Sequence, residues 1–223
     1  MQPSRERYLL GLLVLAGLFV AALVACNMMA TKFTKLNLGF YEFTISVGIL
    51  PYPLTFLVTD ILSEIYGKRR ANQVVLAGFC ASLMVLAFVH LALAVPANAG
   101  FGATDGQFDA IFGQTWRLIT ASMVAYLLAQ LVDVQLFHFW RNLTKGKHLW
   151  LRNNASTIGS QLLDTTAVIL ILFWDSPEVS GGDIAGMIGD GWLFKMLCAF
   201  VDTPLAYLAV WMFRRHVVPP EPD

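Results

Sequence analysis

Charge is scarce in this sequence. Asp, Glu, Lys and Arg make up only 13% of the 223 residues, 15 acidic against 15 basic, with zero formal net charge. A soluble domain carries about 25% charged residues, so this shortage excludes a soluble fold with an ordinary surface. Cysteine is scarce too: Cys26, Cys80 and Cys198 have no metal or redox spacing and imply no disulfide framework, which leaves them as small core residues. The four histidines, His90, His138, His148 and His216, form no ligand cluster, and Asp60 with Glu64 at helical spacing has no histidine companion. No metal site or other cofactor site is therefore expected. A phosphate-binding loop is missing, which excludes an ATPase within this chain. No basic stripe or aromatic-basic pattern points to nucleic acid. No nucleophile, base and orienting group stand in reach of one another, so the chain reads as a non-enzyme.

What is present is apolar: 57% hydrophobic residues and a mean hydropathy of +0.63. Stretches of about twenty apolar residues, enough to cross roughly 30 Å of hydrocarbon, recur with short polar interruptions, leaving no room for a soluble domain. The expectation is an all-α polytopic membrane protein, one domain over 1–223. Spans are predicted near Tyr8–Cys26, Glu42–Ser63, Val74–Val95, Trp116–Trp140, Asn153–Trp174 and Trp192–Phe213. Lys and Arg sort by side. Arg5 and Arg7 precede the first span, and Lys68, Arg69 and Arg70 follow the second. Arg141, Lys145, Lys147 and Arg152 follow the fourth, and Arg214 and Arg215 follow the sixth. The other side holds only Lys32 and Lys35, while Pro96–Thr115 and the acidic Asp175–Gly191 carry no Lys or Arg. Both termini are thus predicted cytoplasmic. Trp116, Trp140, Trp150, Trp174, Trp192 and Trp211 fall near span ends, where an indole suits the headgroup layer.

The start, Arg5-Glu6-Arg7 and an apolar run ending in Leu23-Val24-Ala25-Cys26, has the look of a lipoprotein signal. Its length exceeds the usual signal core and fits a retained helix. Repetition is faint. Gln130-Leu131-Val132-Asp133 matches Gln161-Leu162-Leu163-Asp164, and Pro53-Leu54-Thr55-Phe56-Leu57 is similar to Pro204-Leu205-Ala206-Tyr207-Leu208. Two three-helix halves of opposite orientation would suit a transporter, but these matches do not fall at equivalent positions of such halves.

Polar residues inside the spans are the informative ones, because a carboxylate at a helix centre costs about 2.5–3.5 kcal/mol even on lenient scales. Asp60, Asp133, Asp164 and Asp202 lie in or near four different spans, and Gln130 and Gln161 each precede an Asp by three residues and share its face. Interhelical hydrogen bonding alone can account for one such group. Four carboxylates together point to a shared polar cavity. Pro51 and Pro53 are expected about midway through span two and Pro204 midway through span six, where freed carbonyls are tolerated only in protein or beside a wet cavity. Asp202-Thr203 adjoins one of these breaks, and Asn154, Ser156, Thr157 and Ser160 make span five polar. Lys195 and Arg117 lie just inside outer helix ends, where snorkelling is the default. The alternative for Lys195, two turns before Asp202, is to point inward, balancing the acids or donating to a substrate carbonyl.

The run Pro51-Tyr52-Pro53-Leu54-Thr55-Phe56-Leu57-Val58-Thr59-Asp60, continuing to Gly67-Lys68-Arg69-Arg70-Ala71, resembles the queuosine precursor transporter family of bacterial membrane proteins. The resemblance extends through Ser122 to Phe137, Leu151 to Asp164, and Asp202 to Tyr207, so it covers most of the chain. It implies a six-helix inner-membrane importer of 7-cyano-7-deazaguanine, and of 7-aminomethyl-7-deazaguanine, salvaged for tRNA modification. Carboxylates suit the N–H donors of a guanine-like ring, and Gln, Asn or Lys suits its carbonyl. The expected substrate-binding residues are Asp133 and Asp164 foremost, with Gln130, Gln161, Asn154, Asp202, Asp60 and Lys195. Phe56, Tyr52, Tyr207 and Phe137 are weaker stacking candidates. The expected mechanism is alternating access about a site between spans two, four, five and six, with the Asp60–Arg70 segment at the inner gate. Expected partners are a small 7-deazapurine and membrane lipid; a homodimer is compatible with six short spans, and nothing fixes its interface. A substrate-binding membrane subunit of an energy-coupled vitamin or nucleobase uptake system is the alternative, and an intramembrane enzyme or scaffold is a third.

Overall fold

The computed structural model describes residues 3–98, 100–113, 115–145, 149–177 and 179–216; the side chains of some helical residues, Gln130 and Asp133 among them, lie outside that description. The chain is mostly helical: α1 Pro3–Met29, a hairpin of β1 Phe33–Asn37 and β2 Glu42–Ser46, a 3-10 turn Val47–Ile49, α2 Tyr52–Ala94, α3 Asp105–Phe112, α4 Thr115–Leu143, α5 Leu149–Phe173 and α6 Gly181–His216. Among the described residues, four stretches are long and apolar enough to cross a membrane: Glu6–Met29, Val47–Gly67, Arg69–Ala94 and Gly181–Arg215. Thr157–Phe173 is a shorter apolar helix. Leu10, Leu13, Phe88, Leu91, Phe200 and Val201 are all exposed. Apolar surface spread over whole helix flanks belongs against lipid rather than water.

The second and third predicted spans are joined without a loop. They form one continuous element broken at Gly67, whose φ of 80° and ψ of 162° lie in a region open essentially to glycine alone. This divides α2 into α2a (52–67) and α2b (69–94). The basic Arg69-Arg70 begins α2b directly, with Lys68 at the junction. The core under this break joins α1 (Leu15, Phe19), α2a (Val58, Ile61, Leu62, Tyr66) and α2b (Ala71, Val74), with Ala209, Val210 and Phe213 of α6 packed against it. The Tyr66 hydroxyl donates to the Tyr8 carbonyl at 3.0 Å, and Glu64 pairs with Arg214.

Several expectations are corrected. Span two does not begin at Glu42. Glu42–Ser46 is a strand, antiparallel to Phe33–Asn37 with Phe33 opposite Ser46 and Asn37 opposite Glu42, so the fold is helical with one small hairpin. Alternation drives it: Phe43 and Ile45 are buried against Phe194, while Glu42 is exposed and Thr44 and Ser46 are half-buried on the other face. At the turn, Gly39 adopts φ 86° and donates its N–H to Asn37 Oδ1 at 2.7 Å. Pro51 and Pro53 therefore do not break a helix at mid-span; they start α2a, with Pro51 at the N-cap position, where proline costs no intrahelical bond. Among the described residues it is Pro204 that lies in a helix interior. The glycine-rich Asp175–Gly191 segment is not wholly a loop, because α6 already begins at Gly181. Ser180 and Asp183 cap that end reciprocally, Ser180 N–H and Oγ–H donating to Asp183 Oδ2 and Asp183 N–H donating to Ser180 Oγ. Pro96–Thr115 contains α3, held by a Thr104–Gln107 capping box.

Candidate functional site

A lysine with its ammonium in an apolar helix bundle is stable only beside an acceptor. Lys195 of α6 has one. Its Nζ is 2.6 Å from Asp164 Oδ2 on α5, and both side chains are about 8% exposed. Lys195 therefore points inward rather than snorkelling. Tyr52, at the first residue of α2a, closes the group: its hydroxyl is 3.1 Å from the same Asp164 oxygen and 3.4 Å from Gln161 Oε1. Having one proton, it donates best to the charged acceptor. The Lys195 ammonium also sits 4.5 Å from the Tyr52 ring centroid, within cation–π range. Four side chains from α2a, α5 and α6 thus share one buried network.

The network opens on a cavity of about 170 Å³. Asp164, Lys195 and Tyr52 line it, together with Thr165 of α5, Ser122 and Tyr126 of α4, and Asn27 of α1 with Ser82 of α2b. Its remaining wall is apolar and aromatic, including Phe19, Phe33, Phe79 and Ile169. Polar groups converging in an apolar recess are the usual form of a small-molecule site. Thr165 Oγ1, fully buried, has no hydrogen-bond partner among the described residues, an arrangement that costs about 1–3 kcal/mol unless an occupant satisfies it. Thr44, Ile45 and Ser46 of the hairpin and Gly48 of the 3-10 turn border the cavity at the end where α1 finishes and α2a starts. Gly48 packs so closely on α1 that a Cβ there would lie 2.4 Å from the Cys26 carbonyl oxygen.

Asp190 of α6 holds the hairpin down. Its two carboxylate oxygens accept from the Tyr41 hydroxyl at 2.9 Å and the Thr44 N–H at 2.7 Å, satisfying a donor of the outer strand. Donation to Asp190 holds the Tyr41 hydroxyl above its ordinary pKa. On the same side, Arg117 of α4 pairs with Asp175 beyond α5 and donates from Nε to the Ile171 carbonyl at 3.0 Å. The hydrogen bond from the Arg117 guanidinium to Asp175 holds the Asp175 carboxyl below its ordinary value.

The structure brings together Asp164, Lys195 and Gln161 from the residues singled out in the sequence. It does not bring Asp60, Asn154 or Asp202 to this cavity. Asp60 is exposed on α2a, and half-buried Asn154 does not line the recess. Asp202 is buried on α6 away from the lining, with Oδ2 unpartnered among the described residues. The side chains of Gln130 and Asp133 lie outside the described residues, as does that of Phe137. Phe56 packs edge-on against Tyr52 at 4.7 Å, and Tyr207 is 70% exposed, so neither serves as a stacking wall here. Asn27, Ser82, Thr165 and the anchor Asp190 are absent from the residues singled out in the sequence. Asn27 carried a signal, being the lone amide in the otherwise apolar run from Leu9 to Met29. No group of three or more metal-ligating side chains occurs among the described residues.

A family model described as "Putative vitamin uptake transporter" matches residues 46–209. The chain is 29% identical over 198 residues to a "Probable queuosine precursor transporter" of Bacillus subtilis, covering 86% of this chain and 83% of that one. It is 31% identical over 141 residues to the "Queuosine precursor transporter" of Escherichia coli, covering 63% of this chain and 59% of that one. A third similar protein, from Haemophilus influenzae and also named "Probable queuosine precursor transporter", is 26% identical over 168 residues, 75% and 68% of the two chains. No solved structure matches.

Proposed function

Because this chain belongs to the vitamin uptake transporter family it is a membrane transporter and not an enzyme, and we propose that its cargo is a 7-deazaguanine precursor of queuosine. The observation that carries this reading is the Lys195–Asp164 pair facing the cavity. A guanine-like edge presents a carbonyl acceptor beside two N–H donors, and an ammonium beside a carboxylate presents the complement, one donor and two acceptors. In the empty site the two charges satisfy each other. A neutral ligand with that edge satisfies both when it inserts, so neither buried charge is left unpaired. Anionic nucleotides lack this fit. The names of the similar proteins support the same cargo.

Transport is by alternating access across the bacterial inner membrane through six spans, α1, α2a, α2b, α4, α5 and α6, with both termini cytoplasmic. The sorting of Lys and Arg supports that orientation. The hairpin and its Asp190 anchor then lie at the outer mouth, and the Glu64–Arg214 pair on the Asp60–Arg70 segment at the inner one. Asp133 and Gln130 extend the ligand site from α4, while Asp202, buried on α6 beside Pro204, lies outside the cavity lining.

The test is the queuosine content of tRNA in cells unable to make the precursor and fed limiting 7-cyano-7-deazaguanine. Wild type should restore queuosine, and Asp164→Asn at equal membrane level should not. Membrane-inserted wild type giving no more queuosine than an empty control would remove the cargo assignment. It would favour the alternative of a binding subunit that needs ATP-driven partners.

A further inference from the structure

The cavity has a second polar pole that the Lys195–Asp164 network leaves unused. Asn27 on α1 and Ser82 on α2b line the same recess, 6% and 3% exposed, and Asn27 Nδ2 donates to Ser82 Oγ at 3.4 Å. Between Tyr8 and Met29, α1 is otherwise built from apolar side chains, glycine and one cysteine, so an amide there has a cost that needs a return. A bond between the two helices would be such a return, but 3.4 Å is at the long end of hydrogen bonding and uses one of the amide's two donors. The orphan Thr165 hydroxyl is independent evidence that the recess takes a polar occupant. The two poles stand on different helices, α1 and α2b against α5 and α6, in one recess whose remaining lining is largely apolar and aromatic. A flat ring with a polar substituent remote from its amide edge fits that division.

Resting on the cargo reading above, we infer that Asn27 and Ser82 determine specificity by reading the substituent at position 7 of the ring. The pair is neutral and carries both donors and acceptors. Its N–H and O–H groups can donate to a nitrile nitrogen, and its oxygens can accept from an aminomethyl cation. Neither substituent is excluded, and the balance between them is set by these two residues. Replacing the amide by a carboxylate removes the N–H donors and adds a negative charge, which penalises the nitrile and favours the cation.

The experiment is competitive uptake of 7-cyano- and 7-aminomethyl-7-deazaguanine into vesicles containing the full chain, with thermal midpoints recorded for each variant. Asn27→Asp should shift the uptake ratio toward the aminomethyl compound about tenfold or more. Asn27→Ser and Ser82→Ala, milder changes that keep the helices packed, should move the same ratio about two- to fivefold, by loss of one neutral hydrogen bond. Asp164→Asn should depress both uptakes and leave their ratio in place. A structural tie between α1 and α2b would lower stability and both rates together. Folded Asn27 and Ser82 variants that keep the wild-type ratio would therefore overturn the inference while leaving the cargo reading standing. Wild type carrying neither compound would overturn both.

Discussion

Removing either member of the Lys195–Asp164 pair should damage the protein far more than removing both. Both side chains are about 8% exposed and 2.6 Å apart, so Lys195→Met strands a carboxylate and Asp164→Leu strands an ammonium. Loss of one partner from a buried pair costs about 3–5 kcal/mol, whereas joint replacement by apolar side chains of similar volume is close to neutral. For a chain of about this length, each kcal/mol shifts the thermal midpoint by roughly 2–4 °C, which puts the single variants on the order of 6–20 °C below wild type. The double variant Lys195→Met, Asp164→Leu should recover most of that loss. Transport should not recover with it, because the ligand loses charge-assisted bonds worth about 1.5–3 kcal/mol each, roughly a ten- to hundredfold rise in apparent KM per bond. The assay is thermal unfolding of the four purified proteins in one detergent, beside uptake in vesicles. A double variant as unstable as the singles would refute the pairing. One that transports like wild type would refute the role of the pair in ligand binding.

Gly67→Ala should destabilise by about 1–3 kcal/mol, because it places a Cβ in a glycine-only conformation; Gly17→Ala, in α1 with open space around it, should not, and thermal midpoints of the two compare them. Thr165→Val should be neutral or stabilising, since it removes an unpaired buried hydroxyl, yet it should lower precursor uptake severalfold; reduced stability without an uptake defect would contradict the ligand-facing role. The Arg117–Asp175 contact should be insensitive to mild acid. The Asp175 carboxyl is held below its ordinary value of 3.8 by Arg117, so its contribution is present above that value and is lost only as pH falls through the lowered one. The stability difference between wild type and Asp175→Asn should accordingly stay constant from pH 5 to 8 and fade only under stronger acid.

The membrane class and the rough positions of α1, α4, α5 and α6 were legible because lipid demands long apolar helices, and no other property mimics that pattern. The outer side was less legible. Glu42–Ser46 runs straight into an apolar stretch, and the period-two alternation lasts only five residues per strand, too short to outweigh the neighbouring hydrophobic run. Gly181, Gly182, Gly186, Gly189 and Gly191 read as a loop, while the helix there is set by the Ser180–Asp183 cap and by packing of the hairpin on α6. Of the site, Asp164, Gln161 and Lys195 were visible as polar residues in apolar context. Which helices face one another is a tertiary fact, and this is why Asp60 and Asn154 were grouped with them and Asn27, Ser82 and Thr165 were not.

The most direct measurement of the central claim is uptake of labelled 7-cyano-7-deazaguanine by vesicles containing this chain alone, without ATP or any partner protein. The account predicts saturable uptake that excess unlabelled precursor suppresses and that Asp164→Asn strongly depresses. Uptake indistinguishable from protein-free vesicles, with folded protein verified in the bilayer, would contradict it.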